Sequence, residues 1–210
     1  VCGAFTGAMR VRFAVPSFIT TLALYTAERG LARWCTRDFP IALEGGFFEF
    51  LADRVWGIPV SVYVFAAAFL AVQFLMRQTT FGASVYAVGG NDEAARLSGI
   101  RVGRVRILVF VITSMLAAVS GVLLASRIAS GNASAGFGWE LDVIAAVIIG
   151  GTSLTGGVGT VWGTLVGVVF IGVINNGMTL LNVADYQQLV IRGALILVAV
   201  LVSRMQETRR

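Results

Sequence analysis

The chain has 210 residues, 57% of them hydrophobic and 13% charged, with a net charge of +5. A soluble domain of this length carries about 25% charged residues, so a water-soluble globular protein is excluded. All basic residues are arginine and histidine is absent; the arginines stand at the ends of apolar runs, which points to a membrane surface and away from a nucleic-acid partner.

Residues 1–8 read as the end of an apolar segment with no basic leader ahead of it, so the chain is expected to lack upstream spans. A short basic turn, 9–12, carries Arg10 and Arg12. Pro16 then suits the first turn of a helix over 14–31, because its missing N–H costs nothing there. Residues 34–59 form a loop broken by Pro40, Gly45, Gly46 and Pro59, with an aromatic cluster, Phe47, Phe48, Phe50 and Trp56. That cluster fits an interfacial belt or a protein-docking surface equally. A span follows over 60–76, a polar insert over 89–106 and a second span over 105–126. Continuous apolar runs of this kind suit helices crossing about 30 Å of hydrocarbon, whereas barrel strands alternate.

Residues 130–138, rich in glycine and serine, read as a loop, and 141–150 as an apolar helix of half length. At 1.5 Å per residue such a helix reaches about 15 Å, half a bilayer. It runs into GGTSLTGGVG at 150–159, a break; a full span resumes over 158–181, and a last helix covers 186–203. A half-helix joined to irregular backbone is tolerated at depth only where protein or a cavity covers it. The predicted fold class is all-α: a polytopic transmembrane helical bundle with a broken, half-length helix.

The insert cannot lie in lipid, where each charge costs roughly 2.5–3.5 kcal/mol. Asn91 is a good N-cap, and Asp92 and Glu93 put negative charge at the positive end of a helix. Ala94, Ala95, Arg96 and Leu97 favour helix, and Gly99 suits the left-handed turn that stops it. About two turns are expected, with Ala94 and Ala95 as a face for close approach by a partner; a plain solvated connector is the other reading.

Arginine placement sets orientation. Residues 77–106 hold Arg77, Arg96, Arg101, Arg104 and Arg106 against Asp92 and Glu93. The 34–59 loop holds Arg37 and Arg54 against Asp38, Glu44, Glu49 and Asp53. Residues near 9–12, 77–106 and 204–210 are therefore expected in the cytoplasm, and the acidic loop outside.

The residues Glu93-Ala94-Ala95 followed by Gly99 resemble the coupling motif of permease subunits in bacterial binding-protein-dependent ABC importers. YAVGGNDEAARLSGI, ELDVIAAVIIGGTSLTGGVGTVWGTLVG, NNGMTLL and PSFITTLA are similar to the ribose/xylose-type sugar permease family, in family order and across essentially the whole chain. The resemblance implies a single transmembrane permease domain over 1–210, the C-terminal portion of a longer permease of the bacterial inner membrane. It also implies two permease copies, identical or not, a cytoplasmic ATP-binding subunit and a periplasmic sugar-binding protein. Glu93, Ala94, Ala95, Arg96 and Gly99 would be the ATPase-coupling residues on a cytoplasmic coupling helix. Arg101, Arg104 and Arg106 could pair with that partner or with lipid headgroups.

In the glycine-rich break, the absence of lysine rules out a phosphate loop. Thr152, Ser153 and Thr155 could offer hydroxyls to a sugar, or simply form a tight turn. Gly159, Gly163 and Gly167 recur every four residues, which suits close helix packing. Asn175 and Asn176 could meet substrate hydroxyls or tie helices together, and Asp142 could pair with Arg192. Cys2 and Cys35 read as ordinary small apolar residues, and neither a catalytic nor a metal constellation is expected, nor a cofactor. A rival reading, a stand-alone secondary carrier or channel, would need intramembrane carboxylates, which the spans almost lack.

Overall fold

A computed structural model describes residues 1–13, 15–43 and 45–208, with the side chains of 185 and 202–208 outside the description. The chain is overwhelmingly helical and divides into two compact units.

The first unit comprises Val1–Leu75 and Arg96–Ala135. It holds α1 (Cys2–Phe13), α2 (Ser17–Thr36), β1 (Ile41–Ala42), α3 (Gly46–Ala52), β2 (Arg54–Val55), β3 (Ile58–Pro59), most of α4 (Val60–Gln78), then α7 (Val102–Arg127) and β4 (Ser130–Gly131). The opening stub is a helix packed on α7: a Cβ on Gly7 would lie 2.8 Å from Ile107 Cα, and one on Gly3 would strike the Phe110 carbonyl. Glycines four apart bring backbones close without a hydrophobic driving force, as in membrane helix pairs.

At one end of this unit β1 pairs antiparallel with β4, Ile41 opposite Gly131. Arg29 donates to the Ala135 carbonyl (3.4 Å) and Arg33 to Ser134 Oγ (3.3 Å), while the buried Ser126 hydroxyl donates to the Phe48 carbonyl. The acidic 34–59 loop and the 130–135 loop thus share one end. That loop is more structured than its breakers suggested. β2 and β3 form a hairpin around Trp56 and Gly57, both at positive φ (56° and 80°), the backbone a two-residue turn requires.

The second unit comprises Met76–Ala95 and Gly136–Arg210. It contains α5 (Thr80–Gly90), most of α6 (Asp92–Leu97), α8 (Trp139–Ile149), α9 (Val161–Leu180) and α10 (Asp185–Thr208). Thr79 caps α5 by accepting from Gly82 N, and Thr160 caps α9 by accepting from Gly163 N. The core gathers Ala145, Ala146 and Ile171, with Ile149 and Ile196 against it.

Among the described residues, α4, α7 and α9 are long and apolar enough to cross a membrane. The helix expected over 14–31 is present as α2 but is not one of these three: it runs on to Thr36, carrying Glu28, Arg29 and Arg33. No breaker interrupts it before Arg37, which turns left-handed (φ 51°). The half-length helix is α8, eleven residues, as its apolar run foretold.

Candidate functional site

The insert forms α6, six residues exposed along most of their length. Asn91 Oδ1 accepts from the backbone N–H of Glu93 and Ala94, both at 3.0 Å, which satisfies two of the donors a helix start leaves open. Gly99 ends the segment at φ +83°, with open space where a Cβ would stand. The element is shorter than two turns. Asp92, Glu93, Ala94 and Arg96 face water, whereas Ala95 is only 4% exposed. Of the two alanines read as a docking face, only Ala94 is outward. Leu97, overlooked as a site residue in the sequence, is 83% exposed. A single exposed leucine is ordinary on a protein surface; the signal that could have flagged this one is its place one turn after Glu93.

Immediately before α6, the end of α5 meets the break between α8 and α9. A Cβ on Gly89 would lie 2.6 Å from Gly157 N, and one on Gly157 would lie 2.6 Å from Gly90 Cα. Four glycines (Gly89, Gly90, Gly156, Gly157) let two backbones touch directly. Tyr86 reinforces the seam by donating its hydroxyl to the Gly159 carbonyl at 2.9 Å. The foot of the insert is thereby fixed to the irregular backbone of the broken element.

Within that break, Ser153 N donates to the Val158 carbonyl (3.0 Å), and Ser153 Oγ lies 2.7 Å from Thr155 Oγ1. Thr152 packs its side chain where a Cβ on Gly159 would fall. The Ser153 and Thr155 hydroxyls are engaged with each other in the turn. Gly159 lies ahead of α9, so it is not on the helix; Gly163 and Gly167 are, and both press on α8, against Gly150 and Ala146. The four-residue spacing serves packing.

Deeper in the unit, Asp142 Oδ2 takes Arg192 Nη1 at 3.4 Å and Asn175 Nδ2 at 3.2 Å, tying α8, α9 and α10 together. The Arg192 and Asp142 side chains are 24% and 17% exposed, so the pair is mostly desolvated. Asn176, next along α9, is exposed. Among the described residues no group of three or more His, Cys, Asp or Glu could hold a metal ion.

Apolar spans, a broken half-helix and a water-exposed capped helix define a multi-pass helical membrane protein. The family described as "Branched-chain amino acid transport system / permease component" matches residues 1–200, and the chain belongs to it. Among curated proteins it is 49% identical over 190 residues to "Probable ABC transporter permease protein YphD" of Escherichia coli K12, covering 90% of this chain and 57% of that one. It is 45% identical over 190 residues to the ribose import permease protein RbsC of Bacillus subtilis 168, covering 89% and 59%. It is 40% identical over 209 residues to the L-arabinose ABC transporter permease protein AraH of Azospirillum brasilense, covering 99% and 62%. The chain therefore spans about three fifths of the length of these relatives. No solved structure matches.

Proposed function

We propose that the chain is the membrane-spanning permease part of a bacterial inner-membrane ABC importer for a monosaccharide of the ribose or arabinose kind, residues 1–210 acting as one permease domain. The relatives named for a cargo are named for ribose or L-arabinose import, which favours a pentose over the amino acids in the family's description. The chain is non-catalytic in this reading; ATP is hydrolysed on a separate cytoplasmic subunit, and a second permease copy completes the pathway.

The observation that carries the proposal is α6: a short helix, capped by Asn91, stopped by Gly99 and held out in water. Glu93, Ala94, Arg96 and Leu97 present its outer surface to the ATPase, while Ala95 and Gly99 fix its shape. The Gly89–Gly157 seam supports the same reading, because a push on α6 meets the broken element directly. Asn175 serves as a helix tie; Thr152 and the exposed Asn176 remain the polar groups for a sugar, and Ser153 joins them only by giving up its bond to Thr155. Asp142 is held by Arg192 and Asn175, which disfavours the proton-coupled carrier.

The arginine-rich segments near 9–12 and 77–106 face the cytoplasm, and the acidic loop faces the periplasmic binding protein. Of the arginines counted at 204–210, the Arg204 side chain and Arg209 and Arg210 lie outside the described residues. The test is ATP-driven uptake of radiolabelled ribose and L-arabinose into vesicles holding the complete transporter. Glu93→Arg/Leu97→Asp should lower uptake at least tenfold while membrane insertion is unchanged; normal uptake would refute the role of α6.

A further inference from the structure

Five arginines line one cavity of about 670 Å³ in the first unit: Arg10, Arg96, Arg101, Arg104 and Arg106, with no acidic residue among its walls. The cause is the antiparallel packing of α1 on α7. Gly7 against Ile107, and Gly103 against Val11, bring the last turn of α1 beside the first turn of α7. Arg10 is therefore delivered to the arginines that open α7. The gathering brings like charges together, and Arg101 and Arg104 sit at the positive end of the α7 dipole with no acidic residue in its first turn. An anion in the cavity reverses the sign of each of those interactions.

The face of α7 that carries these charges continues as hydrocarbon. Arg101, Arg104, Leu108, Met115, Val119 and Val122 follow at intervals of three, four and seven residues, one helical stripe. The four apolar members are all exposed. A free phosphate has no use for that stripe, and an acidic protein surface would not lie along it into a span. A molecule with a negative head and a long apolar tail matches both halves.

We propose that this cavity holds the phosphate-bearing headgroup of an anionic membrane lipid, its acyl chains lying along Leu108, Met115, Val119 and Val122 of α7. Basic pockets between helices at the membrane surface bind such headgroups by the same pairing. The inference needs only the first unit and a bilayer; it shares Arg96 with the proposed ATPase surface and is tested through Arg101 and Arg104, which that surface does not use.

The experiment places the complete transporter in nanodiscs of phosphatidylcholine with or without phosphatidylglycerol, then identifies retained lipid by native mass spectrometry. The wild type should keep phosphatidylglycerol in preference to phosphatidylcholine. Arg101→Gln/Arg104→Gln should lose that preference by roughly 30-fold, and Arg101→Lys/Arg104→Lys should keep most of it. Equal retention by the wild type and the glutamine variant overturns the proposal. So does a loss of the ATPase subunit from the glutamine variant with lipid retention unchanged, which would give the arginines to a protein partner. In phosphatidylcholine discs, inorganic phosphate that raises thermal stability as much as phosphatidylglycerol does would assign the cavity to a free anion and overturn it too. Should the glutamine variant fail to insert, the wild type decides alone: its phosphatidylglycerol preference must fall as salt rises, and a salt-independent preference sinks the idea.

Discussion

Gly99 and Asp142 represent two kinds of dependence on a single position. At Gly99 the backbone is left-handed and the surroundings open, so a side chain meets strain but no clash. Gly99→Ala is expected to cost about 1 kcal/mol of local stability, and Gly99→Asn less; amide hydrogen exchange over 96–102 would register the loosened turn. Asp142 instead answers a charge. Removing it strands Arg192, whose buried Nε already has no hydrogen-bond partner. Asp142→Asn should lower stability by about 3 kcal/mol in a thermal melt of the solubilised protein, with Asp142→Asn/Arg192→Gln recovering part of the loss. The cap at Asn91 and the stop at Gly99 were legible in the sequence because both are local backbone chemistry. The pairing of Asp142 with Arg192 was legible only as a possibility, since fifty residues separate the partners and helix packing decides whether they meet. The inward turn of Ala95 was not legible, because a six-residue helix has too few turns to show a face.

Among the elements, the apolar ones announced themselves: α4, α7 and α9 are long hydrocarbon runs with charges at their ends, and α8 is visibly too short to join them. α5 was hidden. Its sequence, TFGASVYAVGG, mixes small, polar and aromatic residues, and the local signal for a helix is the cap at Thr79. The Gly3–Gly7 interval is the sequence signal of the contact between α1 and α7. The seam between α5 and the break makes a prediction at this scale. Gly157 has φ +75° and a Cβ there would press on Gly90, so Gly157→Ala combines backbone strain with overpacking. A loss of about 2 kcal/mol is expected from the crowding alone. If the seam transmits force, uptake should fall further than stability does; a proportionate fall in both would assign it to packing only.

For the molecule in its membrane, the shared ends of the first unit give the clearest expectation. With Cys2 and Cys35 replaced by serine, Ile41→Cys/Gly131→Cys should form a disulfide on mild oxidation, since these residues face each other across a strand pair. A cysteine at Ser98 should be labelled from the cytoplasm and one at Glu49 from outside; the reverse pattern would invert the orientation. Charge along the chain set an expected side only for the acidic loop; the pairing of β1 with β4 shows that the 130–135 loop meets it.

The contact of Gly89 and Gly90 with Gly156 and Gly157 has one more implication. A joint between long side chains has slack, because rotamers can shift and absorb a small displacement before anything beyond them moves. Bare peptide planes have no such play. Whatever shifts the root of the insert by a fraction of an ångström must shift the irregular backbone beneath it by nearly as much, at once and without a threshold.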